Sequence, residues 1–308
     1  MKVFFYGASV TAQKGPSGYV ERVKELFAGS KYDVSALGYG ACHLDDAGFY
    51  NFKEVIDRKP DVCVMEWNTT GLAEFNNFKI MSMINEARYS NINIAFLILP
   101  RTDTNLNINR KAEIQIKKLA EAQKVPLLDL RYIENISECL RDNVHTNSYG
   151  AVKYANAIYN WVIGMRFVEF GIFPQSVEAL TSCFEANFLV NRNFRKTLTL
   201  DFLKGDVYEI VFEMIVGPSM VDLVISWEGR NTEKSFVDPW CYYERKMYHV
   251  ALHGKKRNPN VSEKLHIMNS LATPNFSILK LPPDPSKQYL GGLLISKIYS
   301  LGVVISAS

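Results

Sequence analysis

The sequence predicts a three-layer α/β/α domain on a doubly wound, five-stranded parallel sheet, followed by a mostly antiparallel β-sandwich. Three observations lead there. As far as about Phe167, short runs rich in Val, Ile, Leu and Phe alternate with amphipathic stretches. The runs are near-continuously apolar, as strands buried on both faces are, and not alternating as in a half-exposed sheet. After about Gly171 the pattern changes to short alternating segments punctuated by turns, with no convincing helix.

The elements follow in order. Residues 2–6, 32–37, 61–66, 93–99 and 126–130 read as strands, each bounded by Gly, Pro, Asp or Asn. Between the first two, Val20, Val23, Leu26 and Phe27 fall at i, i+3, i+6 and i+7, which places them on one helical face. Residues 108–124 and 147–166 carry the same periodicity. In the second half, Thr197–Phe202 and Val207–Glu213 alternate like strands, and Gly217-Pro218-Ser219 turns into a third strand at Val221–Trp227. The expected organisation is residues 1–170 as an α/β domain and 175–308 as a jelly-roll-like β-sandwich, with the junction near Pro174-Gln175-Ser176.

Composition excludes several classes. With 35 basic and 32 acidic residues, the net charge of +3 gives no footprint for nucleic acid or an anionic membrane. No stretch approaches the ~18 consecutive apolar residues of a membrane helix. The apolar run Val3–Tyr6 is shorter than the ~7–15 residues of a signal h-region, so it reads as a buried strand. Cys42, Cys63, Cys139, Cys183 and Cys241 are odd in number and lack C-x-x-C spacing, which argues against a disulfide framework or structural zinc. A cytoplasmic protein is expected, and self-association through the C-terminal half stays open.

In an open parallel sheet, ligands bind beyond the C-terminal ends of the strands, where strand order reverses. Ser9 follows the first strand, Gly38-Tyr39-Gly40-Ala41 the second, and Trp67-Asn68-Thr69 the third. His145 lies between the fifth strand and the last helix of that half. In a flavodoxin-like order 2-1-3-4-5, all four segments converge on one edge. A serine hydroxyl needs a base to become a nucleophile, and His145 can serve. Asp142, three residues earlier, can fix the imidazole tautomer. The Ser9 and Gly40 backbone N–H groups and the Asn68 amide are candidate donors to an oxyanion. Each residue alone has an ordinary use as cap, turn or surface polar group. Their joint placement favours chemistry.

The set Gly7-x-Ser9, Gly40, Asn68 and Asp142-x-x-His145 resembles the four blocks of the SGNH (GDSL-like) hydrolase superfamily, over roughly residues 1–167. The resemblance implies that Ser9 attacks an ester, that Ser9, Gly40 and Asn68 form the oxyanion hole, and that His145 and Asp142 are base and orienter. Ala8 stands where the family has an acidic residue, and Glu66-Trp67-Asn68-Thr69 stands for Gly-x-Asn-Asp. Ala41 shares the second block with Gly40 and could supply the N–H instead. Ala41, His43 and Trp67 are candidate pocket lining, and Asn68→Ala is expected to lower turnover without unfolding the protein. Relatives with added β domains often act on acetylated carbohydrate, which implies a glycan or small-molecule ester as substrate. Water as acceptor makes an esterase, and a sugar hydroxyl makes an O-acyltransferase. Neither needs a metal or organic cofactor.

Two other classes fit the sequence less well. Nucleotide binding is disfavoured because Gly7-Ala8-Ser9-Val10-Thr11-Ala12 lacks the second glycine of G-x-G-x-x-G. A non-catalytic carbohydrate-binding protein would place a stacking platform at Trp227, Trp240, Tyr242 and Tyr243, although aromatics at strand spacing are more often core. Asp238-Pro239-Trp240 reads as a turn.

Overall fold

A computed structural model describes residues 1–70, 74–102, 106–167, 181–203, 207–255, 262–270 and 272–307. By its internal contacts the chain divides into two units, Met1–Val177 and Glu178–Ser308. The junction expected at Pro174-Gln175-Ser176 lies outside the described residues.

In the first unit, β1 (Lys2–Gly7), β2 (Asp33–Gly38), β3 (Val62–Glu66), β4 (Asn93–Ile98) and β5 (Leu127–Asp129) form one parallel sheet. Its order is β2-β1-β3-β4-β5. Val3, Phe4, Phe5 and Tyr6 are all 1% exposed or less, the burial that a continuous apolar run anticipates. Each such side chain contributes about 2 kcal/mol by leaving water. Val3 and Phe5 join a core with Val20, Val23 and Phe27 of α2 (Tyr19–Phe27) and Ala155 and Ile158 of α7 (Ser148–Gly164). Tyr6, on the opposite face, packs its ring 5.3 Å from Trp67 and 5.9 Å from Phe52. Its hydroxyl donates to Gly48 O at 2.8 Å.

Shorter helices fill the remaining connections: α1 (Ser9–Ala12), α3 (Lys53–Arg58) and α6 (Ile136–Cys139). The expected 108–124 helix is α5 (Leu106–Ala122). Among the longer helices of this unit, α4 (Asn77–Tyr89), which lies between β3 and β4, escapes the periodicity argument. Its buried face includes Lys79, whose ammonium sits 5.2 and 5.0 Å from the Phe49 and Tyr50 rings. A lysine spent inward blurs the amphipathic stripe. The start signal was nonetheless present, because Asn76 caps the helix by accepting from the Phe78 and Lys79 N–H groups.

The second unit is all antiparallel. One sheet has the order β10-β9-β12-β7-β14, the other β11-β8-β13-β6. The first comprises β7 (Arg195–Phe202), β9 (Leu223–Trp227), β10 (Arg230–Lys234), β12 (Ser262–Asn269) and β14 (Val303–Ala307). The second comprises β6 (Thr181–Val190), β8 (Val207–Val216), β11 (Arg245–Lys255) and β13 (Leu293–Leu301). Alternate residues of β8, namely Ile210, Phe212, Met214 and Val216, meet Leu198 and Leu200 of β7 and Ile225 of β9 in a single core. Among the described residues, no helix is long and apolar enough to cross a membrane.

Candidate active site

Ser9 opens α1 directly after β1, the first residue past the sheet's C-terminal edge but one. The turn that presents it is tight. A Cβ on Gly7 would sit 2.3 Å from Glu66 O and 2.4 Å from Thr11 Oγ1, so only glycine fits there. Ala8 N–H then donates to Glu66 O at 3.0 Å, tying the turn to β3.

The histidine arrives on a loop that the sequence closes on itself. Leu140 and Thr146 form an antiparallel bridge, and Arg141 N–H donates to His145 O at 2.9 Å. Inside it, Asp142 Oδ1 accepts from the N–H groups of Val144 (2.9 Å) and His145 (2.8 Å), the local closure that aspartate favours in turns. Thr102 N–H holds the loop tip through Asn143 O at 2.9 Å. Gln13 Nε2 donates to Thr146 O at 2.8 Å, so the end of α1 is fastened beside the histidine.

These anchors bring three expected residues into line. His145 Nε2 lies 3.0 Å from Ser9 Oγ, and His145 Nδ1 lies 3.0 Å from Asp142 Oδ2 and 3.2 Å from Oδ1. Burial alone would raise the Asp142 pKa, but the two backbone N–H bonds and the neighbouring imidazole outweigh it and hold the carboxyl below its ordinary value. The group is therefore an anion at neutral pH, aimed at Nδ1. An imidazole so paired presents Nε2 to the serine as a proton acceptor.

Gly40 follows β2, and Tyr39 N–H donates to Gly7 O at 2.9 Å, which continues the β1–β2 pairing to the turn that carries Ser9. Gly40 is exposed, and a Cβ added there would meet nothing within 4 Å. Ala41 next to it is exposed with φ at +55°, a left-handed conformation that costs an alanine about 1 kcal/mol. His43 is partly buried, its Nδ1 has no hydrogen-bond partner, and burial lowers its pKa, so it is neutral at pH 7.

Two of the expected site residues are buried. Trp67 is 1% exposed, with its ring packed among Tyr6, Tyr39 and Gly48. Asn68 is held in place by its own side chain. It is 2% exposed, its Nδ2 donates to Leu99 O at 2.7 Å, and its Oδ1 accepts from Leu99 N–H at 2.9 Å. The same side chain also hydrogen-bonds the Glu113 carboxyl, so both hydrogens of its amide have acceptors, Leu99 O and Glu113.

Sequence reasoning also missed a buried polar group beneath the site. Glu66 is fully buried, with Oε2 accepting from Thr11 Oγ1 at 2.8 Å and Oε1 from Thr69 Oγ1 at 2.7 Å. Burial pushes its pKa up, and the bonds from Thr69 and Thr11 offset this only in part. The signal was legible: a carboxylate ending the otherwise apolar strand Val62-Cys63-Val64-Met65.

In the second unit, Trp240 lies 6.3 Å from Tyr242, and Tyr242 lies 5.0 Å from Tyr243, with Trp240 and Tyr243 exposed. Trp227 instead packs against Tyr208 at 5.7 Å beside the sandwich core. Asp238 Oδ1 accepts from Trp240 N–H, so Asp238-Pro239-Trp240 is a turn.

No protein-family model matches the chain, and no curated protein does. Solved structures do. A two-domain esterase active on acetylated mannans is 13% identical and aligns with 100% of this chain and 92% of its own, at a TM-score of 0.65. The same kind of enzyme co-crystallised with mannopentaose gives 13% identity, coverage of 98% and 90%, and a TM-score of 0.66. An acetyl xylan esterase covers 53% of this chain and 100% of its own at 22% identity, with a TM-score of 0.47. The chain thus shares the two-domain fold of the esterase active on acetylated mannans.

Proposed function

We propose that the protein is a serine-dependent acyl-ester hydrolase that removes O-acetyl groups from carbohydrate. The observation that carries the reading is the unbroken line Ser9 Oγ, His145 Nε2, His145 Nδ1, Asp142, with 3.0 Å at both junctions. The similarity to an esterase active on acetylated mannans over both units supports the substrate class.

The chemistry follows from the geometry. Ser9 Oγ attacks the acyl carbon while its proton passes to His145 Nε2. Asp142 stabilises the imidazolium. The oxyanion of the tetrahedral intermediate takes hydrogen bonds from the Ser9 and Gly40 N–H groups, and Asn68 joins them by exchanging its Glu113 contact for the oxyanion. The imidazolium then gives its proton to the leaving alcohol oxygen as the C–O bond breaks, and an acyl-serine is left. Water attacks that ester with His145 again as base, releasing the carboxylic acid and returning the proton to Ser9. No two of the five cysteines are joined in a disulfide and four are buried, which supports a reducing compartment such as the cytoplasm.

The test is fluorophosphonate labelling with mass spectrometry of wild type, Ser9→Ala and His145→Ala, alongside acetate release from acetylated oligosaccharides. The expected result is an adduct on Ser9, absent in both variants, together with turnover that both abolish. Folded wild-type protein that takes no adduct and releases no acetate would overturn the proposal.

A further inference from the structure

A carboxyl group withdrawn from water is costly, and strands buried on both faces normally end on aliphatic residues. Glu66 breaks that rule at the one place where β3 meets the nucleophile turn. Its register partner on β1 is Gly7, whose missing side chain provides the room: a Cβ there would come within 3.0 Å of Glu66 Oε2. The two carboxyl oxygens face different segments. Oε2 takes the hydroxyl of Thr11, two residues after Ser9 on α1, and Oε1 takes that of Thr69, one residue after Asn68. The Ala8 and Thr69 N–H groups also bond to this carboxyl. Thr11 and Thr69 are themselves 1% and 4% exposed, and Thr11 Oγ1 lies 2.9 Å from the hydroxyl of the fully buried Tyr19.

From this arrangement, and resting on the acyl-transfer reading above, we infer that Glu66 is a positioning residue. It pins the helix that carries Ser9 to the turn that carries Asn68. The far end of the same four-residue helix is pinned to the histidine loop by Gln13 and Thr146. Helix α1 is too short to hold its own orientation, since a single helical turn is unstable alone. The two pins fix it with respect to both partners of the serine. The residue pair that departs from the family's Gly-x-Asn-Asp pattern, Glu66 and Thr69, is thereby accounted for as one bonded unit.

The test separates positioning from folding. Thr11→Val removes the hydroxyl at constant shape, Thr11→Ser keeps it, and Glu66→Gln keeps the volume but turns one acceptor into a donor. Each is compared with wild type for kcat, KM and the rate of fluorophosphonate labelling of Ser9, using protein shown to be folded by its urea midpoint. Thr11→Ser is expected to remain near wild type. Thr11→Val and Glu66→Gln are expected to lose roughly 10–100-fold in kcat and labelling rate with KM little changed, the scale expected of a misplaced reacting group. The double variant should be no worse than the worse single, because both act through one contact. If Glu66→Gln does not fold, the Thr11 pair decides. A labelled wild type whose rate and kcat are unchanged by Thr11→Val overturns the Glu66 assignment alone. A wild type that takes no label overturns the acyl-transfer reading and this inference with it.

Discussion

Replacing Asn68 with alanine separates two roles that the sequence alone merges into one. The side chain bonds to Leu99 in both directions, and Leu99 is 0% exposed. Alanine leaves one N–H and one C=O buried without partners, each costing about 1–3 kcal/mol. Partial relaxation of the neighbouring turn brings the expected total to about 3 kcal/mol. Separately, loss of an oxyanion donor lowers kcat by ~10²–10³. The assay is urea unfolding followed by optical spectroscopy, paired with kcat measured well below the unfolding midpoint. The expected result is a lower midpoint with an unchanged slope, together with the loss of kcat in the folded fraction. An unchanged midpoint would refute the claim that the Leu99 pairing holds this turn. A lower midpoint with full kcat would restrict Asn68 to the scaffold and leave the oxyanion to the backbone donors.

Two further outcomes can be checked independently. His249 is held to a pKa of about 4 against an ordinary 6.5, chiefly by burial, and its Nε2 has no partner. Below pH 6.5 the unfolded chain takes up a proton that the folded one refuses, so stability falls from pH 6.5 and levels off near 4, by at most about 3 kcal/mol. His249→Phe, which keeps a ring against Phe236, should flatten that slope in urea titrations at a series of pH values; an unaltered slope would assign the acid sensitivity elsewhere. Gly40→Ala places a methyl in open space, so stability to urea should change by less than about 0.5 kcal/mol while kcat/KM falls. Unchanged kcat/KM would remove Gly40 from the substrate's path.

The parallel sheet was legible because burial on both faces forces long apolar runs such as Val3–Tyr6, and the convergence of Ser9, Asn68 and His145 followed from a rule about sheet edges. What stayed hidden was set by tertiary contact. Helix α4 buries a lysine against aromatic rings, so its stripe fails the periodicity test. Trp67 sits between polar neighbours in sequence yet packs inside the sheet's helix layer, because the chain turns into a 3-10 segment at Asn68–Thr70 just after it. Asn68 kept its place but not its freedom, since its partner Leu99 lies 31 residues away. In the second unit only the strongly alternating strands stood out. β6, with partly exposed residues on both faces, and β10, polar at every position, carry little pattern of their own.

The contact between Ser9 and His145 spans 136 residues, from the end of the first strand to the loop before the last helix. Nothing local can form it. The strands that lie between them in the sheet, β1, β3, β4 and β5, must pair before the imidazole reaches the hydroxyl, and contacts of this sequence separation form late in folding. If Ser9 takes the label as proposed, labelling during refolding would report the pairing of those four strands, and the same reagent would serve as a clock for their assembly.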